Sequence, residues 1–178
     1  MTNKPPVSLM VAVVEGTVCI KISGRANFTS SLDFKKLVTE LTGRGYRRFV
    51  LDLSECVIMD STFLGVLAGI GLKFTESNGD GGNHPVELLN PNERIRDLLE
   101  NLGVSHLFRT IAAQLPVAEG QFQAISAAAE QPSRVELTRN CLEAHRLLMS
   151  LNPGNVGKFK DCAQFLAEDL KKLEAKPE

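Results

Sequence analysis

The residues best able to do chemistry stand together at Asp60-Ser61-Thr62. There a carboxylate and two hydroxyls interrupt the apolar run Leu51-Asp-Leu-Ser-Glu-Cys-Val-Ile-Met-Asp-Ser-Thr-Phe-Leu-Gly-Val-Leu67. An aspartate directly ahead of a helical stripe suits the N-cap position, where it accepts the unpaired amides of the first turn, and this alone explains the polar interruption. The sharper reading is that Ser61, held at the end of a strand near a helix N-terminus, is a hydroxyl available for phosphorylation. A phosphate would add about 1.5–2 negative charges, which the helix dipole offsets by only ~0.3–1 kcal/mol while Asp60 repels it. The fold tolerates that charge. A partner buried over the same helix end would have to desolvate it, at a penalty on the order of several kcal/mol.

Other constellations are weak. His84, His106 and His145 show no HxH or HExxH spacing, so surface or core roles are expected and no metal site is assigned. Gly79-Asp-Gly-Gly82 lacks the lysine of a phosphate loop and follows a helical stretch, so it reads as a turn. There is no GxSxG, and no histidine has a sequence argument for activating Ser61; neither an enzyme nor a cofactor is expected. Cys19, Cys56, Cys141 and Cys162 are scattered among aliphatic residues with no CxxC pair, which suits a reducing cytoplasm.

The elements that must position Ser61 are legible from periodicity. Leu9–Val14 and Thr17–Ser23 are β-branched runs joined by Glu15-Gly16, a hairpin signal. Asn27 can cap a helix carrying Leu32, Leu37, Val38 and Leu41, which Gly43 and Gly45 end. Arg48–Leu53 and Cys56–Met59 read as buried strands, and a helix begins at Asp60-Ser61-Thr62 with Leu64, Leu67, Ala68, Gly71 and Phe74 on its stripe. A strand at Val86–Leu89, a helix opened by Asn90-Pro91 with Ile95, Leu98, Leu99 and Leu102, and a run at Leu107–Ile111 complete this part. The order predicts an α/β fold, one mixed sheet covered by helices, over residues 1–111, with a linker at 112–118.

Residues 119–178 differ in pattern. Leu137, Cys141, Ala144, Leu148 and Leu151, then Val156, Phe159, Ala163, Leu166, Leu170 and Leu173 after Asn152-Pro-Gly-Asn155, alternate steps of three and four. They predict an αα-hairpin, preceded by a shorter Ala-rich helix around Gln121–Glu130. Such a seam closes within one chain or between two, so a homodimer through 119–178 stays open.

Composition narrows the function classes. The chain has 178 residues, 43% of them hydrophobic, enough for a real core. With 20 basic against 21 acidic residues and a net charge of −1, no global field recruits nucleic acid or an anionic membrane. The longest apolar stretch, Phe63–Leu72, is broken by three glycines and is far short of the ~20 residues that span a bilayer. No direct membrane insertion is expected, and Met1–Pro6 lack a signal-peptide h-region.

Asp60-Ser-Thr-Phe-Leu-Gly-Val-Leu67, preceded by Phe49-Val-Leu-Asp-Leu53 and Ile20-Lys-Ile-Ser-Gly24, resembles the STAS domain of bacterial anti-sigma factor antagonists over roughly Val7–Ile111. The resemblance implies a STAS-type mixed sheet and a non-enzymatic module. By motif match Ser61 is the residue phosphorylated by a kinase-type anti-sigma factor and dephosphorylated by a metal-dependent serine phosphatase. The unmodified antagonist binds the kinase and displaces the sigma factor, and the implied docking surface comprises Asn27, Asp60, Ser61, Thr62 and Phe63. Two positions depart from the family. Gly24-Arg-Ala-Asn27 stands where the family has an acidic loop, and Phe63 where it has glycine; Phe63 reads equally as a core residue and as an aromatic anchor. The alternative is a non-phosphorylated scaffold or oligomerisation subunit of a signalling or lipid-transport complex, built on the helical tail.

Overall fold

The computed structural model describes residues 7–78, 84–115, 117–125 and 131–175; the turn expected at Gly79–Gly82 lies outside them. Strands β1 (Ser8–Val14) and β2 (Thr17–Ala26) form the expected antiparallel hairpin, turned at Glu15 and Gly16, both with positive φ. β3 (Arg48–Asp52) runs parallel to β2 along Thr17–Lys21, β5 (Val86–Leu89) parallel to β3, and β6 (Arg109–Ile111) parallel to β5. β4 (Cys56–Met59) pairs in parallel with the far end of the long β2, across a register shift between Gly24 and Arg25. The result is the predicted α/β architecture with a mixed sheet.

The parallel β2–β4 end sets the site. Because β2 feeds helix α1 (Phe28–Gly43) and β4 feeds helix α2 (Ser61–Asn78), two helix N-termini emerge side by side at the carboxyl ends of neighbouring strands. In parallel sheets this end is where binding groups collect. Asn27 caps α1 as expected: its side chain accepts the Thr29 and Ser30 amides, and Ser30 bonds back to the Asn27 amide. Gly24–Ala26 form the end of β2 instead of a loop; Ala26 is buried and Arg25 exposed.

One core joins sheet and helices. Val18, Ile20, Ile22, Phe49, Leu51 and Leu88 meet Phe34 and Val38 of α1 and Phe63, Leu64 and Leu67 of α2. Helix α3 (Glu93–Asn101) is capped by Asn92, two residues beyond the expected Asn90; Asn92 itself is extended and Asn90 takes a positive φ.

The tail closes back onto this core. Helices α4 (Arg134–Leu151) and α5 (Val156–Glu174) form the hairpin, with a capping box between Ser133 and Glu136. The Ala-rich helix expected around Gln121–Glu130 is not what 121–125 form: Gln123–Ala124 make strand β7 on the free edge of β1, whose pairing outweighs weak local helix propensity; residues 126–130 lie outside the described ones. Nor do the apolar stripes serve the hairpin alone. Ala144 and Leu148 of α4 join the main core, while Val156 of α5 is 42% exposed.

Candidate functional site

Asp60 organises the site through its carboxylate. Oδ1 accepts the Phe63 amide at 2.8 Å, capping α2, and Oδ2 accepts the Phe28 amide at 2.7 Å, tying the first turn of α1 to it. Its own amide donates to Ala26 O at 2.9 Å, continuing the β2–β4 pairing into the site. Both the bland reading, a helix cap, and the proximity of Asn27 to the Asp60-Ser61-Thr62 cluster therefore hold as geometry.

Ser61 is the first residue of α2 and is partly exposed. Its Oγ lies 3.0 Å from Nε2 of His145, which comes from α4, and His145 Nδ1 lies 2.7 Å from the Cys141 carbonyl oxygen. A carbonyl oxygen carries no hydrogen, so Nδ1–H is the donor there. In the neutral ring Nε2 then has only a lone pair, and the Ser61 hydroxyl donates to it. Thr62, 5% exposed, points its hydroxyl at Cys141 Sγ, 3.7 Å away, and burial pushes the Cys141 thiol up from its ordinary value.

Phe63 does not face this surface. Its ring is fully buried and stacks on Phe34 with centroids 5.0 Å apart, which corrects the aromatic-anchor reading: one residue further into α2 than Thr62, the helical turn carries it to the sheet. The aromatic ring presented beside Asp60 is Phe28, 46% exposed at the start of α1. Neither Phe28 nor His145 stands out in the sequence as a site residue. A signal for His145 existed in Thr138, Cys141 and His145, which recur at helical spacing alongside the apolar stripe of α4 and mark a polar inner face.

The tail reaches across both helices. Asn140 Nδ2 donates to Ser31 Oγ of α1 at 2.9 Å, and Lys35–Glu143 (2.8 Å) and Lys36–Glu136 (3.4 Å) pair α1 with α4 at the surface. Among the described residues no group of three or more His, Cys, Asp or Glu could hold a metal ion, and no helix is long and apolar enough to cross a membrane.

Comparisons with known proteins agree with this architecture. A search of the curated proteins finds no match. Among solved structures, the anti-sigma factor antagonist SpoIIAA in its unphosphorylated form is similar at 16% identity with a TM-score of 0.50, over 58% of this chain and 88% of that one. The NMR structure of TM1081, a protein of Thermotoga maritima, is similar at 24% identity and a TM-score of 0.50, over 58% of this chain and 79% of that one. At such identities the likeness shows the fold. The family model described as the STAS domain matches residues 8–118, more than half of the sequence, and the chain therefore belongs to the STAS domain family.

Proposed function

We propose that the chain is an anti-sigma factor antagonist-like binding module, cytoplasmic and without catalysis of its own, switched by reversible phosphorylation of Ser61. The observation that carries the reading is the position of Ser61: the first residue of α2, directly after the capping Asp60, on the partly exposed end where two helix N-termini meet. Family membership and the likeness to SpoIIAA support the same assignment. The partners on this reading are a kinase-type anti-sigma factor and a metal-dependent serine phosphatase. In the modifying step the Ser61 Oγ–P bond forms as the bond from the γ-phosphorus of a nucleoside triphosphate to its bridging oxygen breaks; the hydroxyl proton goes to the kinase's base and nucleoside diphosphate leaves. The docking surface comprises Asn27, Phe28, Asp60 and Ser61, with Thr62, 5% exposed beneath Cys141, at its inner edge and Phe28 in place of the buried Phe63.

Intact-mass spectrometry of the protein from its native host, with fragmentation, tests the assignment. A phosphatase-sensitive phosphate on Ser61 is expected; protein unmodified under all growth conditions overturns it. A second reading, a scaffold that self-associates through its tail, draws on Phe165, 71% exposed on α5. Light scattering separates the two, because a stable dimer lost in Phe165→Glu, with no phosphate on Ser61, favours the scaffold.

A further inference from the structure

We propose that α4 is a built-in occupant of the docking face, so that the chain's own tail competes with any kinase or partner for Ser61. The inference rests on the reading of Ser61 as the regulated hydroxyl and adds how access to it is controlled. It begins with one hydrogen atom. The Ser61–His145 contact needs the serine proton, since His145 already commits its Nδ1–H to the Cys141 carbonyl. Phosphorylation replaces that proton. The hydrogen bond that the hydroxyl donates is then lost, and a bulky phosphate has to be accommodated beside a ring seated 3.0 Å from Oγ. The docked α4 is thus complementary to the unmodified hydroxyl.

The same helix covers what a partner would read next to Ser61. Thr62 is buried under Cys141, Ser31 under Asn140, and Gly65 meets the backbone of Ala144 with no gap. A surface that must grip the first turn of α2 therefore collides with α4 before it reaches Thr62.

The seam is built to part. Thr138, Asn140 and His145 are buried polar residues on α4, in the manner of an interface that also meets water. Among the described residues, two buried side-chain polar atoms lack a hydrogen-bond partner, Asn140 Oδ1 and Asn155 Oδ1, and both belong to tail residues turned toward the domain. Undocking hydrates both oxygens, which lowers the net cost of opening. The ion pairs across α1 and α4 are exposed and screened by salt.

Two full-length variants test the proposal, with ATP-supplemented native-host lysate as the kinase source and Ser61 phosphate read by mass spectrometry. Ala144→Leu wedges α4 away from Gly65. Thr62→Cys, in a Cys162→Ser background, sets a second thiol opposite Cys141, and oxidation clamps the helix in place. The wedge is expected to raise the rate of Ser61 phosphorylation at least tenfold, and the oxidised clamp to abolish it until reductant restores it. Equal rates in wild type, wedge and oxidised clamp overturn the gate while leaving the switch standing. No phosphate on Ser61 in any protein, the wedge and reduced clamp included, overturns the switch itself and the gate with it. Should the wedge fail to fold, as far-ultraviolet circular dichroism would reveal, oxidised against reduced clamp decides.

Discussion

Gly65 of α2 and Ala144 of α4 touch without room for a methyl group between them: a Cβ on Gly65 would lie 2.7 Å from both the Cβ and the carbonyl oxygen of Ala144. The pairs Thr62–Cys141, Gly65–Ala144 and Gly69–Leu147 rise together in number, so the two helices run in the same direction with their backbones close. Small residues at a crossing permit that approach, and the approach is what brings His145 within reach of Ser61. The docking of the tail on α2 thus depends on one glycine.

Gly65→Ala is expected to lower stability by about 1–3 kcal/mol, because the backbone of Ala144 cannot rotate away as a side chain can. Urea denaturation measures this. The same variant should alkylate faster at Cys141, whose partly buried thiol is protected by the seam. Unchanged stability together with unchanged Cys141 reactivity would mean that α4 is not seated on Gly65.

Phe63 and Phe28 are expected to separate fold from docking. Phe63→Ala removes a fully buried ring stacked on Phe34 and should cost about 3–5 kcal/mol. Phe28→Ala removes a ring that is 46% exposed, and should change stability by no more than ~0.5 kcal/mol while weakening capture of the partner. If Phe28→Ala destabilises as much as Phe63→Ala, the ring is structural and the anchor must be sought elsewhere.

The two aromatic residues also mark how far the sequence could be read. Strand and helix identities followed from alternation, stripes and caps, and Asn27 and Asp60 cap the helices they were expected to cap, because an N-cap is decided within four residues of chain. Phe63 is ambiguous in the sequence because it sits two residues from the partly exposed Ser61, and only the seating of α2 on the sheet decides which way the ring turns. His145 could not be paired with Ser61 from spacing, since 84 residues separate them and the contact depends on where α4 lands. β7 reads as helix in the sequence because its pairing with β1 is tertiary, invisible in the local Ala-rich composition.

Asp60 should prove structural as well as local to the switch. Asp60→Ala loses the α2 cap and the bond to the Phe28 amide, two hydrogen bonds to a charged acceptor, together about 2–4 kcal/mol. Asp60→Asn keeps one acceptor oxygen and is expected to recover roughly half of that. Thermal or urea unfolding of the pair checks it; equal loss in both would mean that charge, not acceptor geometry, carries the bond.

Acid should loosen the tail at its first turn. The Ser133 amide donates to the Glu136 carboxylate at 2.9 Å, the Ser133 hydroxyl and Lys36 add to it, and together they hold the carboxyl below the usual glutamate range. A group whose folded value is depressed stabilises the fold above its unfolded value, about 4.3 for glutamate, and the contribution is lost as pH falls through the lower folded value. The Glu136 side chain is 44% exposed, so the effect is modest and screened by salt. Hydrogen exchange at the first amides of α4, corrected for intrinsic rate, should therefore quicken as pH falls below the ordinary glutamate value of about 4.3. Glu136→Gln keeps an acceptor for the Ser133 amide but carries no titrating charge, so its profile should be nearly flat over that range. Lys21–Glu55, whose carboxyl is also held low by Lys21, softens the sheet end in the same direction and provides the internal comparison. Because Glu136 also faces Lys36 of α1, its protonation removes one of the two ion pairs that fasten α4 to α1; loosening confined to Glu55, with α4 unmoved, would place the fastening elsewhere on the seam.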